Sequence, residues 1–125
     1  MKPKTVEYFT AADRHRVFAR ALFERRFVSA SLEWSMVAAF YSAVHYVNAY
    51  LWETYAFEPL NHSERTLAVR GDAALVPIAI SYDALRTWGF LARYRPTFRP
   101  PDALIQRALQ HLEHIRSIIV AEIGS

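Results

Sequence analysis

Apolar and polar positions follow a helical period in every long segment of the chain, and one stretch stands apart from the rest. From Ser31 to Phe57 there is neither proline nor glycine. At about 100° per residue, Leu32, Met36, Val37, Phe40, Tyr41, Val44, Val47, Tyr50, Leu51 and Tyr55 cover most of the circumference. A helix that is apolar on nearly every side is a buried one. The remaining strip, Ser31, Ser35, Ala38, Ser42, His45, Ala49 and Trp52, consists mostly of small residues at alternating spacings of four and three. Such a strip is a seam along which a second helix can approach closely. The pattern predicts a central helix with the rest of the chain wrapped around it.

Upstream, Thr10 followed by Ala11, Ala12 and Asp13 reads as a capping start for a first helix running to about Val28. Its expected apolar stripe is Ala11, Phe18 and Leu22, with His15 and Arg25 on the same side. Ser29 and Ser31 predict a short turn and a cap for the central helix. After Phe57, Glu58-Pro59-Leu60 breaks the pattern, and Asn61 to Arg65 has the form of a helix N-terminus. Asn61 caps, Glu64 closes the box, and Gly71 is expected as a left-handed end. Asp72 to Val76 adds a turn, and Pro77 opens a helix from about Ile78 to Tyr94 with Ile78, Tyr82, Leu85, Trp88 and Ala92 along one side. Pro96, Pro100 and Pro101 keep the next segment out of a continuous helix. Asp102 then predicts a cap for a last helix to about Ile123, with Leu104, Ala108, Leu112, Ile115 and Ile119 as its core stripe. Strand alternation, hairpin turns and repeats are missing. The expected fold is all-α, an up-and-down four-helix bundle with an additional short helix, forming one domain over residues 1–125.

Composition narrows the environment. A hydrophobic content of 53% is ample for one core, and the lack of cysteine rules out a disulfide scaffold or a thiolate metal site, which agrees with a cytoplasmic location. The opening MKPKTVEYFTAADRHR has no apolar signal region, and Glu33, His45, Asn48 and Glu53 interrupt the central helix, so no association with a membrane is expected. The net charge of +3 is small, but its placement is uneven. Lys2, Lys4, Arg14, Arg16, Arg20, Arg25 and Arg26 outnumber Glu7, Asp13 and Glu24 in the first helix region, and Arg86, Arg93, Arg95 and Arg99 form a run without an acid. Thirteen of the fifteen basic residues are arginine, the residue type suited to bidentate phosphate contacts, although base composition alone can produce the same bias.

Glycine-rich phosphate loops, HExxH and GxSxG are missing, and no cofactor is implied. Arg107, His111 and His114, at spacings of four and three, project from one face of the last helix; Glu113 points elsewhere, which leaves no metal set. Cleavage of RNA needs less than a metal. One imidazole to move a proton from a 2′-hydroxyl and one guanidinium to steady the developing phosphorane charge are enough. Arg107 with His114 is one candidate pair and His62 with Arg65 is a second, while His45 is a single imidazole on a mostly apolar helix. In the loop after the fourth long segment, Arg93, Arg95 and Arg99 are candidates for holding phosphates, and Tyr94 and Phe98 for stacking an unpaired base.

The run AAFYSAVHYVNAYL on the second helix, NHSER opening a short helix and YDALRTWGFLARY before the last helix resemble small bacterial proteins of the HEPN superfamily over roughly residues 11–122. The resemblance implies an up-and-down helical bundle, often a homodimer, in a superfamily tied to RNA cleavage, toxin–antitoxin pairs, phage defence and nucleotide binding. Its catalytic members carry Arg, four to six residues and then His, usually with a polar residue directly after the Arg. Only Arg107 with His114 matches that spacing here, and Ala108 stands where the polar residue is expected. The landmarks most similar to this subgroup are His45, Asn61, His62, Arg65, Arg93 and Tyr94. Two functions follow as expectations. One is an RNA-directed, metal-independent endoribonuclease of toxin or phage-defence type. The other is a non-catalytic dimerising helical module, or a nucleotide-binding partner, that docks to an antitoxin or nucleotidyltransferase-type protein.

Overall fold

Small side chains decide how closely two helices can lie, and the seam on the central helix is filled along its length. The computed structural model describes residues 1–124, which form five α-helices and no strand. α1 (Pro3–Arg25) and α2 (Ser31–Tyr55) run antiparallel. Thr5, Ala12 and Ala19 on α1 and Ser35, Ser42 and Ala49 on α2 are buried, each set at intervals of seven. The Ser35 hydroxyl donates to the Ala19 carbonyl at 2.7 Å, and the Ser42 hydroxyl to the Ala12 carbonyl at 2.7 Å. Each hydroxyl is therefore satisfied by the opposing backbone, which only closely spaced helices allow. A repeat of seven stays on the contact face only when the helices wind around each other slightly left-handed.

Several boundaries differ from the sequence reading, each for a local reason. α1 begins at Pro3, whose fixed φ suits the first helical position, rather than at Thr10, and it ends at Arg25 because Arg26 turns left-handed (φ 50°). Its buried stripe is Thr5, Ala12, Ala19 and Leu22; Phe18, expected in the core, is 53% exposed because the seam admits only small side chains. α2 starts after Ala30 without a side-chain cap, Ser31 instead accepting from the Val28 N–H at 3.0 Å, and stops at Tyr55 because Ala56 turns left-handed (φ 50°). α3 (His62–Gly71) has the expected box: Asn61 Oδ1 accepts from the Glu64 N–H at 2.9 Å, and Glu64 Oε1 from the Leu60 N–H at 2.8 Å. Gly71 is the last helical residue and not left-handed; Asp72 ends the helix and takes the Ala74 N–H at 2.8 Å. A 3₁₀ turn (Val76–Ile78) leads into α4 (Ala79–Tyr94). In α5 (Asp102–Ile123) Asp102 is the first helical residue rather than the cap, and its carboxylate pairs with Arg26. Ile105 takes the core position expected for Leu104, which is half-buried.

α5 lies antiparallel to α1, where Glu113 accepts from Arg16 and Arg20 and Asp13 from Arg116, and antiparallel to α4, where Ser81 meets His111. α2 is thus enclosed by α1, α4 and α5, and Met36, Phe40, Tyr46 and Leu51 are at most 1% exposed. The α2–α4 contact is tight at Gly89, where a Cβ would lie 2.8 Å from Phe40 Cβ. Only glycine permits this approach, and it brings the next turn of α4, with Arg93, onto α2. No helix among the described residues is long and apolar enough to cross a membrane.

Candidate functional site

Beside the seam, rather than in it as expected for His45, a second stripe of α2 carries Tyr41, His45 and Asn48, at spacings of four and three. α1 flanks it with Tyr8 and His15, α3 with His62 and Arg65, and α4 with Arg93. The sequence reading left His15, Tyr41 and Asn48 outside the candidate set.

Their contacts run from one to the next as an open ring. The His15 and His45 ring centres are 5.1 Å apart, and those of His15 and Tyr41 6.4 Å. Arg93 donates to the Tyr41 hydroxyl at 2.9 Å and lies over the rings of Phe40, Tyr41 and Tyr94 at 5.4, 5.5 and 5.0 Å. Arg65 donates through Nε to Asn48 Oδ1 at 3.0 Å and through Nη1 to His62 Nδ1 at 3.0 Å. His62 also rests on Phe40, ring centres 5.4 Å apart.

A guanidinium can only donate, so the bond from Arg65 assigns the lone pair of His62 to Nδ1 and, in the neutral ring, its proton to Nε2. His15 has the opposite tautomer: its Nδ1–H donates to the Ala11 carbonyl at 2.8 Å, which leaves the Nε2 lone pair free. His45 Nδ1 is buried without a partner among the described residues. Burial, then the neighbouring His15 and the charge of Arg65, hold the His45 imidazole below its ordinary value. Burial, then Arg65, Arg93 and Arg86, do the same to His62. Tyr8, stacked near His45, is pushed up to about 12 by burial and by its hydrogen bond to Glu58, so its hydroxyl stays protonated.

The charge balance is one-sided. Arg65 is 7% exposed and has only neutral acceptors, and neither Arg65 nor Arg93 pairs with a carboxylate among the described residues. A buried cation without an anion is expensive to maintain. The Tyr82 hydroxyl, buried beside Arg65, is pushed up by that burial and eased back by the neighbouring charge.

Next to the ring, between the start of α2 and the end of α4, lies a cavity of about 600 Å³. Arg93, Tyr94, Arg95, Phe98 and Arg99, the residues expected to meet RNA, all line it. The Arg95–Phe98 turn is closed by the Phe98 N–H donating to the Arg95 carbonyl at 2.9 Å, and Arg99 donates to the Pro96 carbonyl at 2.7 Å.

Arg107 and His114 stand elsewhere. The Arg107 guanidinium lies over Trp88 at 5.7 Å, and His114 Nε2 sits 3.2 Å from the Pro77 carbonyl. Between them His111 meets the Ser81 hydroxyl at 2.8 Å, so this face of α5 fastens α4 and the 3₁₀ turn. Asn61 serves as the cap of α3. Among the described residues no group of three His, Asp or Glu could hold a metal ion. No family model, characterised protein or solved structure matches the chain.

Proposed function

We propose that the chain is a HEPN-like, RNA-directed protein that cleaves RNA without a metal at the ring of His15, His45, Arg65, His62 and Arg93. The observation that carries the reading is Arg65: a buried, unpaired guanidinium beside a second unpaired arginine leaves room for an anion, and a phosphodiester is the anion that the adjoining imidazoles can act on. In this scheme His15 Nε2 takes the proton from a ribose 2′-hydroxyl. The 2′-oxygen forms a bond to the adjacent phosphorus while the bond to the 5′-oxygen breaks. The products are a 2′,3′-cyclic phosphate and a 5′-hydroxyl, whose proton comes from an imidazolium. His45 is that acid. Burial first, then His15 and Arg65, disfavour its protonated form, and the negative charge of a bound phosphate acts in the opposite direction. His62, neutral with its proton on Nε2, donates to a phosphate oxygen, and Arg65 and Arg93 take up the charge that develops.

We further propose a homodimer, with the exposed Val17 and Phe18 of α1 as the self-complementary patch. The same patch is what a non-catalytic module would offer to a protein partner, and it supports that second reading. One experiment separates them. Under the catalytic reading, purified protein cleaves single-stranded RNA in EDTA, His15→Ala and His62→Ala abolish cleavage, and His114→Ala retains it. Absence of cleavage by the wild-type protein, or loss only in the His114 variant, would overturn the assignment. Light scattering at tens of micromolar, with Phe18→Glu as the comparison, checks the dimer.

A further inference from the structure

The cavity beside the ring contains one residue that phosphate binding does not explain. Glu33 lines it together with Arg93, Arg95 and Arg99, yet it is half-buried and forms neither a hydrogen bond nor an ion pair among the described residues. A carboxylate in a wall of arginines weakens the attraction for any phosphate, so its use must lie with a different part of the ligand. Around it the walls are aromatic: Trp34 is 56% exposed, Tyr94 is 61% exposed, and Tyr41 also lines the cavity. Exposed aromatic faces beside arginines form a stacking platform for a nucleobase. A volume of about 600 Å³ is in the range of small-molecule sites, about 300–1,000 Å³.

We infer that this cavity binds a guanine nucleotide, with Glu33 reading the base. A carboxylate is acceptor-only and takes two parallel N–H donors. Guanine alone among the four bases presents two adjacent donors, N1–H and the N2 amino group, on one edge. Adenine and cytosine offer one amino group next to an acceptor that repels a carboxylate, and uracil offers one imide N–H between two carbonyls. With the base stacked between Trp34 and Tyr94 and its edge on Glu33, the phosphate falls to Arg95, which has no partner of its own among the described residues. Tyr41 and Arg93 belong to both the cavity and the ring, so a strand whose guanine occupies the cavity passes directly to the imidazoles. The inference deepens the proposed function by naming the base beside the cleavage site, but it stands on the cavity and does not require cleavage.

The test is a titration of the full chain with 5′-GMP, 5′-IMP, 5′-AMP, 5′-CMP and 5′-UMP, followed by calorimetry and by tryptophan fluorescence. GMP is expected to bind about 10- to 100-fold more tightly than AMP, CMP or UMP, and IMP, which lacks the N2 amino group, falls between. Glu33→Gln, checked for an unchanged melting curve, levels GMP with AMP, and Trp34→Leu weakens all five together. A guanine-containing tetranucleotide at least tenfold tighter than GMP assigns the cavity to an RNA strand, whereas equal affinity assigns it to a free nucleotide; both support guanine recognition. Equal binding of GMP and AMP by the wild type, no binding of either at millimolar concentration, or a preference that survives Glu33→Gln overturns it. Equal binding of GMP and AMP by a protein that cleaves RNA overturns this inference alone, while GMP selectivity in a protein that cleaves nothing overturns only the proposed function.

Discussion

Replacing Arg65 by methionine tests whether its charge is held for a ligand or for the fold. The change removes two hydrogen bonds. His62 Nδ1 is on a half-buried ring and can turn to water, but Asn48 Oδ1, on a residue only 7% exposed, is left without a donor. An orphaned buried acceptor costs about 1–3 kcal/mol. Against this, removal of an unpaired cation from the interior relieves a desolvation penalty that is worth several kcal/mol per ion. Arg65→Met alone should therefore lower stability by no more than about 3 kcal/mol, which is about 12 °C in Tm at roughly 4 °C per kcal/mol for a domain of this size. Asn48→Leu alone should be worse, because it strips a bond from the buried charge and leaves the charge in place. The double variant removes both partners and should be at least as stable as the wild type, while losing RNA cleavage. Urea denaturation followed by far-UV circular dichroism across the four proteins of the cycle reads this directly. A double variant more than about 3 kcal/mol below the wild type would show that the guanidinium is a strut of the fold, and the argument for a ligand anion would fall.

Three further outcomes follow from the structure. His45, His62 and His111 all titrate below their ordinary value near 6.5, each chiefly through burial, so on acidification the unfolded chain takes up protons first. Their contribution is fully present above 6.5 and is lost as the pH falls through the folded-state values; a urea midpoint no lower at about pH 5.5 than at about pH 7.5 would refute this. Gly89→Ala, which gains about 1 kcal/mol of helix propensity on an open surface, should instead destabilise by about 1–3 kcal/mol, because Phe40 Cβ and Cγ stand 2.8 and 3.0 Å from the added methyl group. Ala56→Gly, at a left-handed φ of 50° on the exposed end of α2, should raise stability by about 0.5–1 kcal/mol in the same assay.

The helices could be read from the sequence because their signals are local: apolar period, the Asn61–Glu64 box and the prolines after Tyr94 each act within a few residues. The α1–α2 seam was visible as well, in the spacing of Ser35, Ser42 and Ala49. Its partner on α1 was not, since size usually marks a core position, and here Ala12 and Ala19 are buried while Phe18 is exposed. That difference in register decides the site. His15 comes to lie beside His45 only because Ala12 sits opposite Ser42 and Ala19 opposite Ser35. His62 and Arg65 stand out in the sequence as the competing pair at the start of the third helix, but the missing counter-charge of Arg65 is a property of three packed elements and appears in none of them separately. Likewise nothing in the spacing of Arg107 and His114 shows that Trp88 and the Pro77 carbonyl occupy them.

The seam also dictates an order of events. Its two serine hydrogen bonds join residues 16 and 30 apart, with the bond nearer the α1–α2 turn closing the shorter loop. Loop-closure entropy rises with length, so the hairpin can zip outward from that turn, and contacts this local form quickly. The ring of imidazoles and arginines draws on α1, α2, α3 and α4 and has no meaning until α3 and α4 have docked. A chain growing from its N-terminus can therefore close its α1–α2 seam before its chemistry is assembled, because a nascent chain that has not yet released residues 62–94 lacks the guanidinium groups that would hold a phosphate.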